Sequence, residues 1–489
     1  MNTTPSAIID GESLVGSGAP IAVVNPADEQ VIAEIPEADA ALADRAMASA
    51  RAAFARGDWR QMRVEDRQRV LRACADAIEA AADEIADIEC ANTGSPLSQI
   101  RGGSVMRAAG NFRFFADYIG QMAGELYEQA RDYLTLVRRE PVGVAVLISP
   151  WNAPLALGSM KIASAIAFGN SCVLKPAEQA PLGITRLVEA LQGAGLPPGV
   201  VNLVNGFGAG VGDRLVRHPD TDRISFTGGT ATGRRIMAAA GENLTPSIME
   251  LGGKSANIIF DDADFEQALD GALLGIFSNN GQQCLAGSRI LVQRGIADRF
   301  IEALVARTRR IRVGDPRDPA TEVGPLANRN HYRHVMGFVP EAADRGARIL
   351  VGGARPEGFD RGFYFQPTVA EVDSNSHRLC QEEIFGPFAA LMRFDTDDEA
   401  YRIANDSRFG LVGYAWSRDI ERILTAQDRI SAGTIWCNTP MMRDLHAPFG
   451  GIRESGVGAE GGRAAEAFYM QQKAVIMPRN RLNLRKMGA

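Results

Sequence analysis

The sequence predicts an α/β protein that contains two doubly wound parallel sheets and a small additional β element. From residue 142 onward, short β-branched segments bounded by Gly or Pro alternate with segments of helix length, which is typical of a parallel sheet covered by helices. A second alternation of the same kind begins at residue 256. The chain has 489 residues, which is enough for about three structural units at roughly 150 residues each.

The first unit begins with helices and continues as a sheet. Between residues 39 and 88, apolar residues such as Leu71, Ala75 and Ile78 recur at steps of three and four, which predicts amphipathic helices. Strands are then expected at residues 142–148, 171–174, 200–204 and 223–226. Helices should begin near residues suited to a first helical turn, namely Pro154, Pro181, Ala209 and Thr230.

The second unit repeats this order after a short hinge near residues 250–254. We expect a strand at 256–260, a helix at 264–277, a strand at 289–292, a helix at 297–309, and strands at 349–351, 367–369 and 433–437. A last strand, 472–478, has no obvious local partner, so it should pair with another element or another subunit. We therefore predict a homo-oligomer.

Composition excludes several classes of protein. Hydrophobic residues make up 46% and charged residues 23% of the chain, which excludes a disordered or collagen-like protein. The formal net charge of −7 favours neither nucleic acid nor a membrane surface as a partner. No apolar segment approaches the roughly 18 residues of a transmembrane helix, and residues 1–5 do not resemble a signal peptide, so we expect a cytoplasmic protein.

Cysteines and histidines do not predict a metal site. The six cysteines have no C-x-x-C spacing, which argues against a zinc ribbon, a redox pair or a disulfide framework. His331 and His334 lie three residues apart on a predicted helix without a nearby carboxylate pair. We interpret them as solvated or hydrogen-bonded residues and expect no bound metal.

Three glycine-rich segments resemble phosphate-binding loops, and each departs from the motif. Residues 253–255 resemble the end of a Walker A loop, but Ile248 stands where a glycine is needed. The loop at 228–233 is followed by two arginines in place of Lys-Ser. Residues 206–212 follow a predicted strand, yet Val211 replaces the last glycine of the dinucleotide fingerprint. This last segment can be a phosphate-binding turn or an ordinary turn.

Cys284 is the candidate nucleophile. It follows the predicted helix 264–277 in a loop that contains Gly281, Gln282 and Gln283, whose amides can point at a substrate. A free thiol is only a few per cent ionised at neutral pH, so a nucleophilic cysteine needs a local base or amide donors. By itself the pattern is also compatible with a small buried apolar residue.

The surroundings of Cys284 resemble those of the NAD(P)-dependent aldehyde dehydrogenase superfamily. Residues 249–255, with Cys284 thirty-four positions after Glu250, are similar to the family's glutamate and cysteine signatures. Further similar segments occur in the family's order at 149–152, 161, 175–178, 226–228, 382–387 and 448–451. The resemblance implies two Rossmann-like domains and a small β oligomerisation element. It implies an NAD-binding domain at 1–120 and 141–250, a catalytic domain at 251–435, and oligomerisation or bridging segments at 121–140 and 436–489.

The resemblance also implies catalytic roles. Cys284 would attack the aldehyde carbon, and the Asn152 amide with the Cys284 backbone N–H would stabilise the resulting oxyanion. Glu250 would activate the water that hydrolyses the thioester. Lys161 resembles the family's proton-relay lysine, and Glu460 resembles a second, auxiliary glutamate. A solvated loop acid is the alternative interpretation of Glu460.

A cofactor, NAD, follows from the same resemblance. Lys175 and Glu178 match residues at the adenosine ribose, where a carboxylate accepts from the 2′-hydroxyl and repels a 2′-phosphate, which favours NAD over NADP. Gly229 stands where many members have a serine, so only backbone N–H groups would meet the pyrophosphate there. The full predicted cofactor set is Ile148, Pro150, Trp151, Lys175, Glu178, Gly208, Phe226, Gly228, Gly229, Leu251, Gly252, Glu383 and Phe385.

The substrate class is predicted from residues 443–451 and from Arg107. Both resemble the branch that oxidises hydroxymuconic, aminomuconic and carboxymethyl-hydroxymuconic semialdehydes in aromatic ring degradation. We therefore expect a carboxylated semialdehyde held by Arg107, with Arg443 and Phe449 in the same site. His446 stands where the branch has a second arginine, and it should lie near the far end of the substrate.

Other functions stay open at this point. An aromatic or broad-specificity aldehyde dehydrogenase fits the same motifs. A branch that transfers the acyl group to coenzyme A lacks the hydrolytic glutamate, which this chain retains at Glu250. A catalytically silent structural member and a thiol-dependent esterase are further alternatives. The sequence leaves open the identity of the aldehyde and the choice between homodimer and homotetramer.

Overall fold

Two large sheets with helices on their faces organise the chain, which confirms the predicted α/β class with two doubly wound units and a small β element. The structure is a computed structural model and describes residues 4–129 and 131–488. Within these ranges, the helices are all too short or too polar to cross a bilayer.

The strands, in chain order, are β1 (Ala7–Ile9), β2 (Glu12–Leu14), β3 (Pro20–Val24), β4 (Val31–Pro36), β5 (Glu125–Tyr127), β6 (Tyr133–Pro141), β7 (Val144–Ser149), β8 (Ser171–Pro176), β9 (Val201–Val204), β10 (Arg223–Thr227), β11 (Ser247–Glu250), β12 (Ala256–Ile259), β13 (Arg289–Gln293), β14 (Arg348–Val351), β15 (Thr368–Glu371), β16 (Phe388–Phe394), β17 (Val412–Trp416), β18 (Thr434–Cys437), β19 (Gly456–Val457) and β20 (Met470–Pro478).

The α-helices are α1 (Ala40–Arg56), α2 (Val64–Ala80), α3 (Ala82–Thr93), α4 (Leu97–Gln99), α5 (Met106–Ile119), α6 (Pro154–Ala167), α7 (Leu182–Gln192), α8 (Asp213–Arg217), α9 (Thr230–Glu242), α10 (Phe265–Phe277), α11 (Arg294–Thr308), α12 (Arg329–Asp344), α13 (Arg378–Gln381), α14 (Asp397–Asn405), α15 (Ile420–Arg429) and α16 (Gly462–Tyr469). Short π-helical segments lie at Ile100–Val105 and Gly208–Gly212, and 3-10 turns at Ser278–Gly281 and Arg453–Ser455.

The first sheet has the strand order β19-β11-β10-β7-β8-β9-β1-β2. Its five central strands are parallel, as predicted for the four that the sequence pattern identified. Every residue of β7 and β8 is buried, because helices cover both faces of a parallel sheet and the strands must be apolar throughout. The antiparallel edge strands β1, β2 and β19 have only two or three residues each, and the sequence pattern did not reveal them.

The second sheet has the order β14-β15-β16-β13-β12-β17-β18, and only β14 is antiparallel. Residues 251–255 connect β11 of the first sheet to β12 of the second. Helix α10 begins after Asp264, whose side chain accepts a hydrogen bond from the Gln267 backbone and so caps the helix. This helix ends four residues before Gly281 and leads directly into the loop that carries the candidate nucleophile.

The last strand finds its partner within the same chain. All nine residues of β20 pair antiparallel with β6, and β5 completes a three-stranded sheet. Helix α16 lies between β19 and β20. Glu460, on the loop between β19 and α16, contacts Lys161 on α6 and Ser225 on β10.

Candidate active site

A cavity of about 610 Å³ opens at the carboxyl ends of β7, β8 and β10. Ligands of open α/β sheets bind at this edge, because the loops that follow parallel strands converge there. Much of the predicted cofactor set lines it, namely Ile148, Pro150, Trp151, Lys175, Glu178, Gly208, Phe226, Gly228 and Gly229.

The chemistry of the cavity wall suits a dinucleotide. Lys175 Nζ donates to Glu178 Oε2 at 3.1 Å, so a charged pair marks one end. Gly229 caps the N-terminus of α9, whose free N–H groups and dipole favour a phosphate. A Cβ added to Gly208 or Gly229 would meet no protein atom within 4 Å, so open space is left for a ligand to approach the backbone.

The other predicted cofactor residues lie between this cavity and Cys284. Glu383 Oε1 accepts a hydrogen bond of 2.9 Å from the Gly253 N–H. A Cβ at Gly252 would stand 2.1 Å from Glu383 Oε2, so only glycine fits beside this carboxylate. Burial raises the pKa of Glu383 to about 7. Leu251 packs against Gly233 of α9 and thereby connects the same segment to the cavity wall.

Phe385 is held in an unusual backbone conformation next to Trp151. Its φ is +60°, in the left-handed region that a bulky residue rarely adopts. His331 Nε2 lies 2.6 Å from the Phe385 carbonyl oxygen, and the Trp151 ring packs against both side chains. Burial lowers the pKa of His331 to about 4, so the neutral ring donates from Nε2. The sequence left two interpretations of His331 open, a solvated residue and a hydrogen-bonded one. The structure supports the second, because the ring is buried and hydrogen-bonded.

The loop that carries Cys284 is fixed by side-chain hydrogen bonds from both halves of the chain. Asn279 and Asn280 adopt left-handed conformations, with φ of 50° and 57°. Asn280 Nδ2 donates to the Gly94 and Pro325 carbonyl groups at 3.0 and 2.9 Å, and Asn279 Nδ2 donates to the Asn152 carbonyl oxygen at 2.9 Å. These bonds hold the thiol in one position before any ligand is bound.

A second cavity, of about 110 Å³, surrounds Cys284. The structure brings the predicted catalytic and substrate residues Arg107, Asn152, Glu250, Cys284, Arg443, Phe449 and Glu460 to its wall. Thr227 lines both this cavity and the larger one, so the two adjoin. Asn152 Nδ2 donates to the Gln282 carbonyl oxygen at 2.8 Å, which uses one amide hydrogen and leaves the other for an oxyanion.

The Cys284 thiol is protonated in this environment. Burial, followed by the negative charges of Glu383 and Glu250, raises its pKa to about 12. The thiolate is the reactive form, so the protein must remove the proton when the sulfur attacks an electrophile. A neighbouring carboxylate of high basicity is suited to that task.

Glu250 and Glu460 have opposite protonation behaviour. Burial and the adjacent charge of Glu460 raise the pKa of Glu250 well above its ordinary value. Burial also acts to raise the pKa of Glu460, but the Lys161 ammonium, 2.6 Å from Oε1, together with Arg443 and the Ser225 hydroxyl outweighs it, and the net shift is downward. Glu460 is buried and ion-paired, which excludes the interpretation as a solvated loop acid. Two carboxylates with separated pKa values can play acid and base in turn.

Two guanidinium groups face the cavity from different elements. Arg107 lies on α5, and Arg443 lies on the loop between β18 and β19, with its guanidinium 4.1 Å from the centre of the Phe449 ring. Burial and the charge of Arg107 lower the pKa of Arg443 to about 10, so both groups stay cationic near neutral pH. Within residues 4–129 and 131–488, neither guanidinium has a carboxylate oxygen within 4.0 Å.

His446 is a correction to the sequence-based site. Its side chain is exposed, its Nδ1 lies 2.9 Å from Asp444 Oδ1, and its ring packs edge-on against Phe114. It does not reach the wall of the Cys284 cavity, because the loop turns its side chain outward while Arg443 and Phe449 point inward.

Sequence reasoning missed several residues of the wall, namely Leu157, Met160, Thr227, Leu285, Trp436 and Met441, whereas Gln283 was expected to face the substrate. Thr227 lies inside a segment that the motif comparison had identified, so it could have been found. Trp436 and Met441 carry no local signal, because β18 and the following loop reach Cys284 only through the tertiary fold. In the described part of the chain, no three His, Cys, Asp or Glu side chains are grouped to hold a metal ion.

Comparison with known proteins agrees with this geometry. The model of the aldehyde dehydrogenase family matches residues 15–475. The 5-carboxymethyl-2-hydroxymuconate semialdehyde dehydrogenase of Escherichia coli is 43% identical over 460 residues, which is 93% of this chain and 97% of the relative. A betaine aldehyde dehydrogenase of Brucella canis is 40% identical over 463 residues, or 94% of each chain.

A solved structure gives the same result. The betaine aldehyde dehydrogenase of Staphylococcus aureus in complex with NAD+ superposes with a TM-score of 0.96 at 38% identity, covering 100% of this chain and 98% of the other. The family match spans most of the sequence, and both cavities lie inside it. The chain belongs to the aldehyde dehydrogenase family.

Proposed function

We propose that this protein oxidises a carboxylated semialdehyde, of the muconic semialdehyde type, to the dicarboxylic acid with NAD as the hydride acceptor. The observation that carries the proposal is the pair Arg107 and Arg443, which face the cavity of a cysteine nucleophile and have no carboxylate partner of their own in the described part of the chain. The NAD+ complex of the S. aureus relative supports the choice of cofactor, as does the Lys175–Glu178 pair in the larger cavity.

The residues of the smaller cavity account for the covalent steps. Cys284 Sγ adds to the aldehyde carbon, and its proton passes to Glu250, whose raised pKa makes its carboxylate a stronger base than that of an ordinary glutamate. The free amide hydrogen of Asn152 and the Cys284 N–H stabilise the oxyanion. Bound NAD would supply the acceptor for the hydride that leaves the hemithioacetal carbon, which gives a thioester. Glu250 first releases the thiol proton to solvent and then takes a proton from the water that attacks the thioester. The carbon–sulfur bond breaks, the acid leaves, and the thiolate takes the proton from Glu250 to restore the Cys284 thiol.

A carboxylate on the substrate would relieve an unfavourable arrangement in the free protein. Two guanidinium groups lie at the wall of a small cavity, and burial together with the charge of Arg107 lowers the pKa of Arg443. A carboxylate can accept paired hydrogen bonds from a guanidinium and neutralise its charge. Such a ligand therefore gains affinity both from new bonds and from reduced repulsion.

The same charges disfavour betaine aldehyde, the substrate that several relatives of similar identity have in their names. A quaternary ammonium group is bound by the open faces of aromatic rings. Here the Arg443 guanidinium covers the face of Phe449, and Arg107 adds a second positive charge. A cationic substrate would be repelled by both.

An aldehyde panel followed by NADH absorbance tests the proposal. Muconic-type and saturated semialdehydes are compared with uncharged aldehydes of equal length and with betaine aldehyde. We expect the carboxylated compounds to have the highest kcat/KM. Arg107→Ala and Arg443→Ala should each lower that kcat/KM by roughly 10- to 100-fold, which is the range for a lost hydrogen bond between charged groups. The kcat/KM for uncharged aldehydes should change little.

Arg101→Ala is the matched control. Arg101 precedes α5 and forms surface ion pairs with Asp83 and Asp87, away from the cavity. The Arg101→Ala variant should have the same kcat/KM as the unmodified enzyme for every aldehyde. If both cavity variants retain the preference for carboxylated aldehydes, or if betaine aldehyde is the best substrate of the unmodified enzyme, the substrate proposal is wrong.

A further inference from the structure

Asn279 joins Asn152 to the loop that carries Cys284. Its side-chain amide donates from Nδ2 to the Asn152 carbonyl oxygen at 2.9 Å and to the Gln282 carbonyl oxygen at 3.2 Å. The Gln282 carbonyl oxygen also accepts from Asn152 Nδ2, at 2.8 Å. One closed set of hydrogen bonds therefore holds both the backbone and the side chain of Asn152.

The orientation of the Asn279 amide is fixed from its other end. Ser95, on the segment between α3 and α4, donates its hydroxyl hydrogen to Asn279 Oδ1 at 2.9 Å. The carbonyl oxygens of Asn152 and Gln282 can only accept, so the NH2 group must face them and the amide oxygen must face Ser95. The backbone of Asn279 is in the left-handed region, which asparagine enters more readily than most residues. Residue 279 thus combines a sharp turn with two aligned donors.

This arrangement determines where the free amide hydrogen of Asn152 points. The two hydrogens of an NH2 group lie at a fixed angle in the amide plane, so the bond to Gln282 sets the direction of the second hydrogen. Asn152, Asn279 and Cys284 line the same cavity. An oxyanion donor is most effective when it is aligned before the reaction begins, and a misplacement of about 1 Å can slow a reaction by about 100-fold.

We propose that Asn279 is a positioning residue for the first covalent step, which holds the Asn152 amide where the oxyanion forms. The inference deepens the proposed function and rests on one part of it, the attack of Cys284 on a carbonyl group. Both hydrogens of the Asn279 NH2 group are already bonded to carbonyl oxygens, so Asn279 acts through Asn152 and not on the oxyanion itself.

An ester substrate isolates this step. Cys284 Sγ bonds to the ester carbon, the thiol proton passes to Glu250, and the electron pair of the C=O bond becomes the oxyanion that Asn152 stabilises. The oxyanion then restores the carbonyl bond and expels the alkoxide or phenoxide. The products are an acyl-enzyme and the leaving group, with no cofactor and no carboxylated aldehyde involved.

Two reactions of the same thiol separate alignment of the amide from placement of the sulfur. 4-Nitrophenyl acetate acylates Cys284 through an oxyanion, and the initial burst of nitrophenol measures the rate. Iodoacetamide alkylates the same sulfur by displacement of iodide at a saturated carbon, so no oxyanion forms.

Asn279→Gly removes the amide and retains a residue that tolerates the left-handed backbone. We expect its burst rate to fall roughly 10- to 30-fold, which is less than the roughly 100-fold or larger loss for an oxyanion donor removed outright. Its alkylation rate should stay the same. In an Asn152→Ala background the donor is already absent, so adding Asn279→Gly should lower the burst rate no further.

A second variant and a matched control accompany this measurement. Ser95→Ala removes the hydroxyl that orients the Asn279 amide, and it should lower the burst rate by roughly two- to tenfold, again without an effect on alkylation. If Asn279→Gly does not fold, the two rates of Ser95→Ala decide. Asn243→Gly makes the same substitution at an exposed position after α9, away from Cys284, and should leave both rates unchanged.

Equal losses of acylation and alkylation in Asn279→Gly would overturn the inference, because the turn would then place the sulfur and not the amide. An unchanged burst rate would overturn it too, as would a further loss in the Asn152→Ala background. A burst that persists in Cys284→Ala would overturn both this inference and the covalent step of the proposed function. If the aldehyde panel fails while the burst rate of Asn279→Gly falls alone, the substrate proposal is wrong and the role of Asn279 stands.

Discussion

The two adjoining cavities are built in different ways. The larger one lies at the ends of consecutive strands of a single sheet, and much of its wall is backbone or glycine. The smaller one collects side chains from α5, α6, β11, the Cys284 loop and the loops around Phe449 and Glu460. A cavity formed by strand ends is fixed by sheet topology, whereas a cavity formed by distant loops depends on each side chain. Substitutions should therefore be tolerated far better in the first than in the second.

The largest expected effect concerns the protonation state of Cys284. It tests how strongly the smaller cavity shifts the pKa of a side chain in its wall. With a pKa of about 12, alkylation of Cys284 by iodoacetamide in the cofactor-free enzyme should rise tenfold for each pH unit, or about 1,000-fold from pH 7 to 10. A thiol with an ordinary pKa near 8.5 would rise only about 30-fold and level off. Mass spectrometry of the peptide containing Cys284 measures the rate, and Cys284→Ala confirms the site. A plateau below pH 9 would show that the surroundings do not hold the thiol protonated.

Glu250→Gln tests the proton acceptor of the same cavity. The substitution keeps the volume of a buried side chain and removes the proton acceptor, so hydrolysis of the acyl-enzyme should slow by about 100-fold, near the lower end for a general base. Rapid-mixing measurements should show that both the NADH burst and the steady state become slower, because Glu250 accepts a proton in both steps. Asp261→Asn, on the surface after β12, serves as the control for loss of a carboxylate. A full burst at the unmodified rate would show that Glu250 does not accept the Cys284 proton, and an unchanged steady state would exclude it as the base for hydrolysis.

Glu178→Gln probes the larger cavity, where the effect should be smallest. Removing the carboxylate eliminates repulsion of a 2′-phosphate, so the ratio of kcat/KM for NADP to that for NAD should increase by about tenfold. The catalytic rate at saturating NAD should change little, because the rest of the wall is unaltered. Glu189→Gln, on α7, supplies a comparison outside the cavity. An unchanged ratio would mean that Glu178 does not face the ribose.

The sequence predicts the larger cavity better than the smaller one, for the same physical reason. Continuous apolar runs such as β7 and β8 are visible in the sequence because both faces of a parallel strand are buried. The residues just after those strands, including Trp151 and Glu178, then follow from topology. The two-residue strand β19 leaves no such pattern, and its pairing with β11 depends on contacts more than 200 residues apart.

Local sequence does not determine which way a loop side chain points. Arg443 and His446 are three residues apart, yet one faces the cavity and the other bonds to Asp444 at the surface. Ser225 lies in β10, immediately before the segment 226–228 that the motif comparison identified. Its place in an apolar strand predicts that the side chain is buried, but does not predict its contacts with Lys161 and Glu460. Such encounters require the folded arrangement of α6, β10 and the loop before α16.

The late position of Glu460 in the chain affects the order in which the enzyme can mature. A growing polypeptide that ends before residue 456 already contains Cys284, Glu250 and all the parallel strands of both sheets. It still lacks the counter-ion for Lys161, whose side chain has no solvent exposure in the finished protein. An unpaired ammonium in that position costs several kcal/mol. We therefore expect the interior around Lys161 to close only after the chain has been synthesised through Glu460.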